Sequence, residues 1–160
     1  MLFAFAAVMA HAAESVSVQA EGTAKAKIIQ AATLQKGATD LDFGTIVANT
    51  NGGTVAVTAA QQAERTPQNI QVVTDSHFYA GEFVLSNLDI GTTYHVSVDS
   101  GVNLQKSGAT DMPATLTLSA GDDTVQGVTS KTFYVGGTLT VNGSQAAGQY
   151  EGTYHVTVTY

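Results

Sequence analysis

Apolar and polar residues alternate with a period of two along most of the chain, and no window of eleven or more residues carries a helical period. The alternation predicts strands at 15–20 (SVSVQA), 23–29 (TAKAKII), 41–47 (LDFGTIV), 53–58, 69–74, 81–86, 93–99, 114–119, 131–135, 137–141 and 150–160 (YEGTYHVTVTY). Turn signals separate them: Asn51-Gly52-Gly53, Asp89-Ile90-Gly91, Ser107-Gly108, Gly121-Asp122-Asp123 and Asn142-Gly143. Many short strands at this spacing mean an all-β sandwich or barrel. One helical turn is expected at most, in TAAQQAERT, where Thr58 and Gln61 have capping-box spacing before Pro67 ends the run. The echo between GTTYHVSV (91–98) and EGTYHVTV (151–158) is read as two strands with Tyr and Val on the core face, because two copies are too few for a solenoid.

The first segment, MLFAFAAVMAHA, breaks the alternation. It is a short apolar run ending in Ala10-His11-Ala12, the small-x-small pattern of a signal-peptidase site, so residues 1–12 are expected to be a signal peptide or its remnant. It is shorter than the roughly 20 residues a spanning helix needs. Residues 13–22 then form an N-terminal extension, and 23–160 one domain with a single core. An exported chain with no Cys must hold together by packing or by a partner. Its net charge of -7 comes from scattered acids without a basic patch, which argues against nucleic acid and anionic membrane surfaces as partners. The expected location is the periplasm, the cell surface or the extracellular space.

Chemistry is sparse. His95 and His155 share the polar faces of their strands, but no third or fourth ligand joins them, so no metal site is expected. Asp40/Asp42 and Asp122/Asp123 read as surface and turn acids, since a D-x-D-x-D-G loop is absent. A G-x-S-x-G elbow, a Walker loop and H-E-x-x-H are absent too, and no catalytic residue or cofactor is expected. Carbohydrate sites favour exposed aromatic platforms, Trp above all, and the chain has no Trp; Phe78-Tyr79 beside His77 is the one aromatic cluster expected at a loop and only a minor candidate for such a platform.

In GTYHVTVTY the residues Tyr154, Val156, Val158 and Tyr160 make a clean apolar face up to the final position. Outer-membrane barrels end this way, but their lipid-facing strands need about 9–11 residues, and most runs here are shorter. An incomplete sandwich, completed by an extended segment from a neighbour, ends this way as well. AESVSVQAEG fits such a donor, with Val16, Val18 and Ala20 on one face and Gly22 as a hinge. A strand paired within its own domain, or a tail, fits the same residues.

GTAKAKII, LDFGTI (41–46), GTVAVT (53–58), FYVGGTLTV (133–141) and QAAGQYEGTYHVTVTY (145–160), in this order and spacing, carry a resemblance. The chain resembles a family of secreted bacterial proteins classed as a domain of unknown function, similar in pattern to spore-coat-U and chaperone-usher fimbrial subunits. That resemblance implies an immunoglobulin-like, pilin-type sandwich whose last strand is held by a periplasmic chaperone before assembly. Classical fimbrial subunits place a Gly twelve residues before a Tyr in that strand, and Gly148 and Tyr160 reproduce the spacing. The Tyr is usually penultimate, and fimbrial subunits often carry a disulfide; both differ here.

The expected protein is a non-enzymatic structural subunit of a fimbria-like or surface-coat homopolymer. Val16, Val18 and Ala20 would be donors, and Gly148, Tyr154, Val156, Val158 and Tyr160 would belong to the accepting strand. Insertion of the mature chain into a membrane is not expected. A monomeric adhesin or binding module is the alternative, and a small outer-membrane barrel the third.

Overall fold

Side chains that alternate in and out can bury one face only by pairing edge to edge and stacking in layers, and the chain does so throughout. The computed structural model describes residues 16–119, 121 and 123–160, so the predicted leader, Ser15 and Asp122 lie outside the described residues. Twelve strands follow one another: β1 (Thr33–Lys36), β2 (Ile46–Val47), β3 (Gly53–Val57), β4 (Arg65–Gln68), β5 (Gln71–Val72), β6 (Gly81–Ser86), β7 (Tyr94–Val98), β8 (Gly101–Leu104), β9 (Met112–Leu118), β10 (Thr124–Val125), β11 (Ser130–Val141) and β12 (Val156–Thr159).

The long β11 organises the fold. Along one edge it pairs β6 from Ser130 to Val135 and then β3 from Gly137 to Val141, while β9 runs along its other edge. The larger sheet therefore reads β1-β6-β11-β3-β4, with β8 joined through β9, and it ends at β1 and β4 without closing. Two smaller sheets, β10-β7-β12 and β2-β5, complete an antiparallel sandwich.

The core is split into two clusters, both threaded by β11. One gathers Leu85, Tyr94, Val96, Val125 and Phe133 between β6–β11 and β10–β7. The other gathers Phe43, Val55, Met112, Leu139 and Val141 beneath the β2–β5 ribbon. Each such side chain, fully buried, contributes about 1.5–3 kcal/mol.

Several expectations need correction. The predicted terminal strand 150–160 is a strand only at Val156–Thr159, with Glu151 held by a single bridge to Gln105. The segments predicted as strands at 15–20 and 23–29 carry no strand within residues 16–32, and the first strand begins at Thr33. The run 41–47 is broken at Gly44, where φ is +76°, leaving a single bridge at Asp42 and the two-residue β2. The helical turn at Thr58 is absent, because the Thr58 hydroxyl accepts the N–H of Glu64 (2.8 Å) and closes a loop instead of capping Gln61.

Candidate assembly cleft

Among the margins of the sandwich that are paired along one edge only, two border the same opening. After β1 the chain keeps to β6: Gly37 donates to the Glu82 carbonyl (2.7 Å), and Asp42 and Tyr79 exchange both backbone bonds (2.9 and 3.0 Å). At the far margin Gln105 and Glu151 exchange theirs (2.8 and 3.1 Å), and β12 then follows β7 from Val156 opposite Val98 to Thr159 opposite His95. Both β1 and β12 are edge strands, each with one partner among the described residues.

An open cleft of about 1770 Å³ separates these margins. Residues 40–48 form one wall and 145–154 the other, while Val102, Leu104, Met112, Leu139 and Val141 line it from the core. Its charged side chains are Asp40, Asp42 and Glu151, with no Lys or Arg; its rims are acidic, and its lining is shared about equally between the apolar core residues and polar groups such as Thr45, Ser76, Asn103, Gln105 and Gln149. Beyond it, Leu34 of β1 and Val156 and Val158 of β12 pack on the second core cluster yet stay half-exposed. By contrast, Met112, Ala114 and Leu116, the inward residues of β9, are all buried.

Internal hydrogen bonds hold the 145–154 wall. Gln145, itself buried, donates to the Thr110 carbonyl and to the Tyr150 hydroxyl (2.9 Å) and accepts from Asn142 (3.0 Å), while Tyr150 donates to the Ala146 carbonyl (2.7 Å). Tyr154 reaches toward β6, packing edge-on against Phe83 at 6.1 Å with its hydroxyl over Gly81. Burial, with a smaller contribution from the Asp40 charge, pushes its phenol up to about 12. The opposite wall is fixed by Arg65, whose guanidinium lies 4.7 Å over the Phe78 ring and donates to Ser76 and to the Val73 carbonyl (both 2.8 Å).

The predicted site residues fall into three places. Gly148 and Tyr154 line the cleft; Val156 and Val158 continue its wall on β12; Tyr160, 57% exposed, packs on Tyr94 with ring centroids 5.0 Å apart. Val16, Val18 and Ala20 lie in an arm of residues 16–31 that forms no strand. There Val16, Val18 and Ile28 are 87%, 93% and 94% exposed, so none of them contributes to the core of its own chain. The arm touches the body where Lys27 meets Asp89 (3.1 Å), and that hydrogen bond, followed by the Gly91 N–H, lowers the Asp89 carboxyl below its usual range.

The histidines do not meet. His155 contacts Asp99 through its ring (3.1 Å) and its backbone N–H (2.8 Å), whereas His95 lies opposite Thr159 and Thr124. Asp40 takes Lys36 (2.9 Å), and Asp42 accepts the Gly44 N–H (2.7 Å). No three metal-binding side chains converge among the described residues. The aromatic cluster divides: Phe78 packs into the core, and His77 stacks on the half-exposed Tyr79 at 6.2 Å. Sequence reasoning read 41–47 as a strand but missed that it forms a cleft wall, and it missed the Gln145 network. A cleft assembled from segments about a hundred residues apart exists only in the fold.

Residues 33–160 match the family described as Domain of unknown function (DUF4402). No curated protein and no solved structure matches the chain.

Proposed function

The chain belongs to the DUF4402 family, and from that premise we propose that it is an exported, non-enzymatic structural subunit that self-assembles by β-strand complementation. The arm of one copy, through Val16, Val18 and Ala20, seats in the cleft of the next, beside the terminal segment that carries Gly148, Tyr154, Val156, Val158 and Tyr160. The observation that carries this reading is the pairing of two unfinished features. One is an open cleft whose walls, 40–48 and 145–154, continue the edge strands β1 and β12; the other is an exposed arm with the alternation of a strand. The resemblance to spore-coat-U and chaperone-usher subunits, and through them to an immunoglobulin-like pilin sandwich, supports the same reading. On that route a periplasmic chaperone covers the cleft before assembly, and the polymer lies at the cell surface.

The test is sedimentation velocity of the full chain and of Val16→Asp/Val18→Asp across a dilution series. Concentration-dependent oligomers of the parent that the double variant fails to form support the reading; a parent that stays monomeric removes it. A second reading, a monomeric binding module, draws on Ser76 and His77 at the cleft and on the stacked His77–Tyr79 pair.

A further inference from the structure

Resting on the strand-complementation reading, we infer that the donor is the whole segment Val16–Ile28 of a second copy, and that Lys25 and Lys27 meet the acidic rims of the cleft. Length is the first argument. The terminal margin is paired at β12, Val156–Thr159, and again at the single Glu151 bridge to Gln105. Val16–Ala20, about 17 Å when extended, covers β12 and stops short of that bridge. Val16–Ile28, about 43 Å when extended, is long enough to cover both.

Pattern is the second argument. The apolar face of the arm does not stop at Ala20: Val16, Val18, Ala20, Gly22, Ala24, Ala26 and Ile28 occupy every even position without a slip, and a strand therefore presents them on one side. Ile28 closes this row with a large side chain that is 94% exposed in its own chain. With Val16 and Val18 it puts large apolar side chains at both ends of the row, and in a strand the three lie on one face.

Charge is the third. The odd face carries one acid, Glu21, and then Lys25 and Lys27, two of the chain's six basic residues, at the end that would lie farthest from Val16. With the even face turned into the cleft, these lysines stand between rims that expose Asp42 and the Lys36-paired Asp40 on one side and Glu151 on the other. Opposite charges on neighbouring strands favour that register, and like charges would oppose it. In the isolated chain Lys27 rests on Asp89 instead; it is a largely exposed pair that the exchange can give up.

The experiment measures self-association of the full chain by sedimentation, with urea melts to show that each variant is folded. Ile28→Asp is expected to weaken association about a hundredfold, because it puts a charge against an apolar floor. Lys25→Glu/Lys27→Glu should weaken it about tenfold, and adding Asp40→Lys/Glu151→Lys to that chain should restore it. If Ile28→Asp and Lys25→Glu/Lys27→Glu associate like the parent while Val16→Asp/Val18→Asp does not, the donor ends near Ala20. The extension is then wrong and the assembly reading stands. A parent that is monomeric at every concentration overturns both.

Discussion

Replacing Tyr154 separates the packing role of its ring from the electrostatic role of its hydroxyl. The ring is half-buried and edge-on to Phe83, so Tyr154→Ala removes part of an aromatic side chain and one ring contact. Deleting a fully buried aromatic costs about 3–5 kcal/mol, and about half of that, roughly 2 kcal/mol, is expected here. Tyr154→Phe keeps the ring, and at neutral pH its stability should lie within about 0.5 kcal/mol of the parent. The difference lies at alkaline pH. The phenol ionises near 10.0 when unfolded and at about 12 when folded, so between those values the folded chain holds the proton more tightly. Its contribution is complete below pH 10 and is lost as pH rises towards 12. A fully dry group would give about 2.7 kcal/mol; partial exposure screens this to about 1 kcal/mol. Urea melts of the parent and both variants at neutral pH and at about pH 11 read the effect. At about pH 11, midway between the two values, the parent should lose about half of that, roughly 0.5 kcal/mol, more than Tyr154→Phe. Equal losses in the two proteins, or a Tyr154→Ala chain as stable as the parent, would refute the placement of this side chain.

Three further outcomes follow from the same walls. Gln145→Leu strips partners from Asn142, Tyr150 and the Thr110 carbonyl and should cost about 1–3 kcal/mol in a urea melt. Gly81→Ala places a methyl group against the Tyr154 hydroxyl, so it should destabilise the parent clearly and Tyr154→Phe less, a coupling that a double-mutant cycle measures. Asp99 accepts the His155 backbone N–H and then its ring, which lowers its carboxyl below 3.8. It should therefore titrate by NMR below an ordinary Asp, with the stabilisation present above the unfolded value and lost as pH falls through the folded one; Asp99→Asn should abolish that loss.

The strands legible in the sequence are those with one dry face and one wet one: β3, β6, β7 and β9 stand close to where the alternation puts them. The alternation ends one strand at 135 and begins the next at Gly137, yet β11 runs straight through Gly136-Gly137. There the strand passes between β3 and β9, and a Cβ at either position would collide with a neighbouring carbonyl, so glycine marks close approach and not a turn. β4 was hidden by Pro67, which an edge strand tolerates because its outer side needs no donor. The arm misled in the opposite direction. Its alternation is as clean as that of β7, but a period of two records only that a segment can bury one face, and Val16, Val18 and Ile28 find no cover in their own chain. The terminal half of the cleft, from Gly148 to Tyr160, was visible as a strand with an apolar face; the wall at 40–48 was not, because its position depends on the bonds of Asp42 to Tyr79 and of Arg65 to the 73–76 loop.

Disulfide trapping tests strand exchange most directly, because the chain has no Cys to confuse the result. Ser17→Cys in the arm and Thr157→Cys on β12 both occupy outward-facing positions, so they approach each other only when the arm lies along the terminal strand. Scanning the arm cysteine over positions 17 to 27 in steps of two covers the register. Strand exchange predicts that at least one pairing gives a ladder of linked multimers on a non-reducing gel, while each single-cysteine chain stops at a dimer. A complete scan that yields only monomers, whether unlinked or closed within one chain, would contradict it.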